Sequence, residues 1–129
     1  MVGIVIVSHS SKVAEGIKDL ALQMAAPGQC IIAAGGMADG GIGTDAFKIK
    51  DAIIAAESGD GVAVIVDLGS AVLSAELAIE MLATDQVNAK IADAPILEGA
   101  IAAAVDASIA KPLENVIIAA ESARDLRKL

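Results

Sequence analysis

Four short apolar runs, separated by stretches of helical periodicity, constrain this sequence more than any other feature in it. They are "VGIVIV" (2–7), "CIIAA" (30–34), "VAVIV" (62–66) and "VNAKIA" (87–92). All are of strand length, rich in β-branched residues and bounded by Gly, Pro, Ser or Asp, so they read as β-strands. The first three carry apolar residues on both faces and are expected to be buried. In the fourth, Asn88 and Lys90 alternate with Val87, Ala89 and Ile91. That is the pattern of an edge strand with one wet face.

The intervening stretches have a different period. Over 11–26, Val13, Ile17, Leu20, Ala21 and Met24 recur at three- and four-residue steps and are expected to face inward. Pro27-Gly28 ends that helix. A second helix, 44–58, opens at Thr44 as its N-cap and turns Phe47, Ile53 and Ile54 inward. A third, 70–83, carries Val72, Leu73, Leu77, Ile79, Met81 and Leu82 nearly all round, which implies cover on two sides. Pro95 and Pro112 open helices over 95–109 and 112–126. The order β-α-β-α-β-α-β-α-α predicts an α/β fold. Its core is an open, mainly parallel four-stranded sheet, expected order 2-1-3-4, with helices on both faces and right-handed crossovers.

Length and charge narrow the possibilities. The chain has 129 residues, which favours one domain over 1–129. Hydrophobic residues make up 56%, yet there is one Phe and no Trp or Tyr, so Ala, Val, Ile and Leu must build the core. Met24, Met37, Met81 and Phe47 are its gap-fillers. The longest apolar stretch, "APILEGAIAAAVDASIA", is broken by Glu98 and Asp106 and falls short of a membrane span. The first run lacks the basic leader of a signal peptide, and the single Cys30 can form no internal disulfide, so a cytoplasmic protein is expected. A net charge of −8 excludes nucleic acid and anionic membrane as partners. Any anion must therefore be held by local donors. The surplus apolar surface on helices 70–83 and 95–126 is met either by a homodimer or by close packing of Ala-rich helices.

In open α/β sheets ligands bind beyond the carboxyl ends of the strands, where the strand order reverses. Strand one delivers "SHSS" to that edge, strand two "AGGMADGGIGTD" and strand three "DLGSA". His9, the only histidine, and Asp67 should face one another there. A carboxylate that accepts the Nδ1 proton of an imidazole fixes its tautomer and leaves Nε2 a free lone pair. Other roles are open to each residue: His9 as a satisfied core residue, Asp67 as the N-cap of the following helix. The glycines of the second loop, Gly36, Gly40 and Gly41 among them, can turn N–H groups toward an anion, or form a plain turn-rich loop.

Several chemistries are absent. No Gly-Lys-Ser/Thr follows the glycines, no Gly-x-Ser-x-Gly elbow exists, and one His with one Cys makes no zinc cluster. What remains is a histidine that handles an anion. The simplest form is a phosphohistidine carrier, phosphorylated on Nε2 of His9. Ser8, Ser10, Ser70, Gly69 and the loop glycines would stabilise the phosphoryl group. The competing reading is a non-enzymatic anion-binding regulatory domain that uses the glycine loop alone.

The segments "VGIVIVSHS", "GGMADGGIGTD", "VDLGSAVLSAELAIEML" and "ADAPILEGAIAAAVDAS" resemble the DhaM family, the phosphotransferase subunits of bacterial dihydroxyacetone kinases. That family is related to the enzyme IIA component of the mannose-type sugar phosphotransferase system. The resemblance runs through essentially the whole chain. It implies a IIA-type fold, usually dimeric, with His9 as the phosphorylated histidine and Asp67 as the carboxylate that orients it. It further implies HPr as phosphoryl donor, charged from phosphoenolpyruvate through enzyme I. The acceptor would be ADP held by the subunit DhaL, which phosphorylates dihydroxyacetone bound to DhaK. The chain itself would need no cofactor. Some family members continue into HPr-like and enzyme-I-like domains. Mannose-type relatives can exchange an extra strand between subunits, but no fifth strand is expected after residue 92. A mannose-type sugar-uptake component is the alternative end use. Leu68, Met37 and Ile42, on the same edge as His9, are the expected docking residues for HPr.

Overall fold

A computed structural model describes all of residues 1–129. Its elements follow the expected order: β1 (Gly3–Ser8), α1 (Ser11–Met24), β2 (Ile31–Gly35), α2 (Ala46–Ala56), β3 (Val62–Val66), α3 (Gly69–Met81), β4 (Ala89–Ala92), α4 (Ile96–Ser108) and α5 (Leu113–Ser122). A 3-10 turn, Ala123–Asp125, closes the last helix. The four strands form one parallel sheet in the order β2-β1-β3-β4. No further strand follows β4. No helix is long and apolar enough to cross a membrane.

Alternation along the central strands divides the core into two layers. Ile4, Ile6, Ala63 and Ile65 face α1, α4 and α5, while Val5, Val7, Val62, Val64 and Val66 face α2 and α3. Both layers are needed because β1, β2 and β3 are apolar on both faces. The edge strand β4 is shorter than its sequence pattern, and Lys90 on it is exposed, as the alternation there implied.

The helices dock through small residues. α1 buries Ala14, Ile17 and Ala21; α3 buries Ala71, Ala75 and Ala78; α4 buries Gly99, Ala100, Ala103, Ala104 and Ala107. These stripes correct the inward assignment of several larger side chains. Val13, Leu20 and Met24 on α1 are exposed, as are Phe47 and Ile54 on α2 and Leu73 and Leu77 on α3. Helix periodicity gives a stripe its spacing but leaves open which of two adjacent apolar stripes faces the sheet. Here the small-residue stripe faces it, because Ala lets a helix backbone approach closely. Within this chain α3 is therefore covered on one side only.

Two caps also differ from expectation. The N-cap of α2 is Asp45, whose carboxylate accepts from the N–H groups of Phe47 and Lys48. Thr44 is left free for another contact. Pro95 and Pro112 occupy the N-cap positions of α4 and α5, one residue before the first helical turn.

Candidate functional site

The strand order puts β1 beside β3, with Val7 opposite Val66 in register. The next residues are Ser8, which ends β1, and Asp67, which follows β3. The Asp67 carboxylate occupies the gap between the strands and collects four donors. Its Oδ2 accepts from the His9 backbone N–H at 3.0 Å and from the Ser8 hydroxyl at 2.9 Å. Its Oδ1 accepts from Leu68 N–H at 2.8 Å and lies 3.0 Å from His9 Nδ1. A carboxylate has about four acceptor sites, so this one is fully used.

Four donors around one carboxylate have an electrostatic consequence. Burial pushes the Asp67 carboxyl up, but the hydrogen bonds from the His9 N–H, the His9 imidazole, Ser8 and Leu68 together hold it below its ordinary 3.8. An ionised Asp67 is acceptor-only, so His9 Nδ1 must carry the proton. The neutral ring then has its lone pair on Nε2. Ser70 Oγ lies 2.6 Å from Nε2 and can only donate to it. A carboxylate on one nitrogen and a hydroxyl on the other fix the ring orientation.

A depressed carboxylate pKa stabilises the fold above the unfolded-state value and ceases to do so as pH falls through the folded-state value. The advantage of the parent chain over Asp67→Asn should therefore be constant above about pH 5 and shrink below 3.8. Urea unfolding of both chains, repeated at successive pH values, measures this.

The His9 side chain is 22% exposed, and its Nε2 meets the N-terminus of α3. Leu68 is the N-cap residue there and makes no side-chain cap bond. The N–H groups of Gly69 and Ser70 have no intrahelical acceptors, so they and the helix dipole favour an anion at this point. Asp67 is thus not the helix cap. Its one bond to that turn is the Leu68 N–H, and its other three bonds go to Ser8 and His9.

The other expected phosphate-stabilising residues fall into place differently. Ser8 is buried, with its hydroxyl donating to Asp67 and accepting from Ser10 N–H at 3.1 Å, so it stands behind the carboxylate. Ser10 is the N-cap of α1, its Oγ accepting from Val13 N–H at 3.3 Å.

The glycine loop is a correction. Gly36 N–H bonds Ser8 O at 3.1 Å, Gly40 N–H bonds Met37 O at 3.0 Å, and Gly41 N–H bonds Asp39 Oδ1 at 2.8 Å. None of the three is free to hold an anion. Positive φ at Gly36, Gly40 and Gly43 folds the loop back on itself, so its donors meet acceptors of the protein. What the loop does instead is grip His9: the Gly43 N–H donates to His9 O at 2.8 Å. This removes the basis for an anion-binding domain that works through these glycines. Gly43 belongs to the glycines expected to face an anion, and its N–H instead meets His9 O. The hydroxyl contact between Thr44 and Ser74 had no functional reading in the sequence; Ser74 lies one helical turn after Ser70, the one signal that could have flagged it.

The structure thus presents a histidine with a fixed tautomer, its free nitrogen at a helix N-terminus on the switch-point edge of a 2-1-3-4 parallel sheet. Residues 3–117 match the family EIIA-man, described as the PTS system fructose IIA component, and the chain belongs to that family. Its fold is that of a solved phosphotransferase component EIIA from Streptococcus agalactiae, with a TM-score of 0.71 at 16% identity over 99% of this chain and 97% of that one. The crystal structure of a protein of unknown function, EF1359, superimposes with a TM-score of 0.83 at 41% identity over 95% of each chain.

Within that class the chain falls in the DhaM family. It is 40% identical over 119 residues to the phosphoryl donor subunit DhaM of PEP-dependent dihydroxyacetone kinase 2 of Listeria innocua, covering 92% of this chain and 94% of that protein. It is 42% identical over 132 residues to the phosphoryl donor subunit DhaM of Escherichia coli, covering 99% of this chain but only 28% of that longer protein.

Proposed function

We propose that this chain is a phosphohistidine carrier that takes a phosphoryl group from phospho-HPr onto His9 Nε2 and delivers it to ADP held by DhaL, for phosphorylation of dihydroxyacetone on DhaK. The observation that carries this reading is the ring of His9 held between Asp67 and Ser70. In the first step the Nε2 lone pair attacks phosphorus. The new N–P bond forms as the N–P bond of the donor histidine breaks, and the donor nitrogen keeps that electron pair. The Nδ1 proton stays between the ring and Asp67, whose charge offsets the positive charge that develops on the imidazole. Ser70 turns its hydroxyl from Nε2 to a phosphoryl oxygen, beside the free N–H groups of α3. In the second step a terminal phosphate oxygen of ADP displaces Nε2 and ATP leaves. Positioning and electrostatics do most of the work in such transfers.

Protein partners need a surface beside Nε2. Ile42, Leu68 and Met37 on this edge are exposed, Ile42 by 77%, and support its use for docking HPr and DhaL. A homodimer would cover the apolar side chains Phe47 and Ile54 on α2 and Leu73 and Leu77 on α3, two helices that pack on one another. The donors and the acceptor would meet the chain in the cytoplasm, and residues 1–129 would act as one IIA domain.

The test is intact mass measurement after incubation with phosphoenolpyruvate, enzyme I and HPr. One added phosphoryl group is expected, stable in base and labile in acid, mapping to His9. An unmodified mass, or phosphate on another residue, would overturn the reading. Discharge of the adduct by DhaL–ADP is expected; discharge only by a sugar-specific IIB domain would make this a mannose-type uptake component.

A further inference from the structure

Besides its two bonds to Asp67, His9 is held from two further elements. Its carbonyl accepts the Gly43 N–H from the glycine loop, and its Nε2 meets Ser70 Oγ from α3. Both of these contacts keep their lengths together only while the loop and the helix stay in register with each other. One polar contact joins them: Thr44 Oγ1 and Ser74 Oγ share a hydrogen bond of 2.6 Å. Thr44 follows Gly43 directly, and Ser74 lies one turn after Ser70 on the same face of α3. Three hydrogen bonds close a circuit from His9 O to Gly43, from Thr44 to Ser74, and from Ser70 back to His9 Nε2.

The circuit also accounts for two local choices. Asp45 caps α2, so the Thr44 hydroxyl is not spent on the helix and is free to reach α3. Ser74 is half-buried mid-helix, where a hydroxyl without a partner is unfavourable and Ala is the better helix former. Its neighbours in the buried stripe of α3, Ala71, Ala75 and Ala78, are all alanine.

We propose that Thr44 and Ser74 are positioning residues whose hydroxyl pair clamps the glycine loop to α3 and so holds His9 at its carbonyl and its Nε2 together. The proposal rests on His9 as the carrier, and its test separates the two ideas. Thr44→Val keeps the side-chain shape and removes the hydroxyl; Thr44→Ser restores the hydroxyl. Two quantities are read on the full chain: hydrogen exchange of the Gly43 amide in the unphosphorylated protein, and the rate of phosphoryl uptake from phospho-HPr.

Loss of one hydrogen bond predicts Gly43 exchange about five- to tenfold faster in Thr44→Val and uptake slower by a similar factor, with Thr44→Ser close to the parent in both. Unchanged exchange in Thr44→Val would overturn the clamp. Faster exchange with unchanged uptake would reduce the pair to a structural contact and overturn the positioning role. Failure of Thr44→Ser to restore both would do the same, since a hydroxyl at this position would then not be enough to hold the loop. If the parent chain takes up no phosphate, the carrier reading fails, while the exchange measurement still decides whether the clamp exists.

Discussion

Asp67→Asn is expected to slow phosphoryl uptake on His9 by on the order of a hundredfold to ten-thousandfold, the range for losing a positioned base or its correct tautomer. The size follows from the donor count. Oδ1 and Oδ2 of Asp67 each accept two hydrogen bonds. An amide has one oxygen and must turn its NH2 toward one of these pairs. With the NH2 at the Oδ1 position it donates to His9 Nδ1, so the ring proton moves to Nε2 and the nucleophilic lone pair is lost. With the NH2 at the Oδ2 position it opposes the His9 backbone N–H and frees the residue that carries the ring. One arrangement leaves the exposed Leu68 N–H to water and the other leaves the part-buried His9 N–H unpaired, the latter at a cost of about 1–3 kcal/mol in stability. Uptake measured by rapid quench gives the rate, and 15N shifts of the imidazole report the tautomer. A variant with parent-like kinetics and a parent-like ring would reduce Asp67 to a structural residue. The effect is not one of charge alone, because at the same shape the amide also puts a donor where the carboxylate has an acceptor.

Gly3→Ala is expected to destabilise the fold by about 3 kcal/mol or more, out of a total of about 5–15 kcal/mol for a domain of this kind. Gly3 opens β1 and is buried. A Cβ there would fall well inside van der Waals contact of the Ala56 carbonyl oxygen and 2.8 Å from Ala56 Cβ. The obstacle is backbone at the carboxyl end of α2, which no rotamer change can move aside. Either α2 lifts from the sheet or β1 shifts, and both disturb the layer built on Val5, Val7, Ile49 and Ile53. Urea unfolding measures the loss. Gly16→Ala is the control: Gly16 lies within α1 with nothing within 4 Å of its Cβ position. That change is expected to stabilise by about 0.5–1 kcal/mol, because Ala costs less entropy in a helix. A loss for Gly3→Ala below that of an ordinary surface substitution would mean that α2 accommodates the methyl.

Much of this protein was legible from residues one at a time and from their spacing. The strand runs are apolar on both faces, and only a sheet covered on two sides buries such runs, so the parallel α/β architecture follows from pattern and solvent exclusion. His9 and Asp67 were legible because each directly follows a strand, and the carboxyl ends of neighbouring parallel strands share one edge. Once β1 lies beside β3, that pair has few other places to be.

Tertiary structure decided the remainder, and in each case the deciding quantity was a competition between neighbours. Helix periodicity marked Phe47, Leu73 and Leu77 as apolar, but the Ala stripes beside them fit closer to the sheet and took the buried side. The glycines marked a loop that can point N–H groups outward, but acceptors at Ser8, His9, Met37 and Asp39 lie within hydrogen-bond reach and took them. Thr44 marked a cap, but Asp45 held the helix and left the hydroxyl to Ser74. By itself the sequence determined which groups could bond and on which edge they gather, because covalent spacing and hydrophobicity are local. Only the folded chain decided which donor met which acceptor, because that choice depends on distances between residues far apart in the chain.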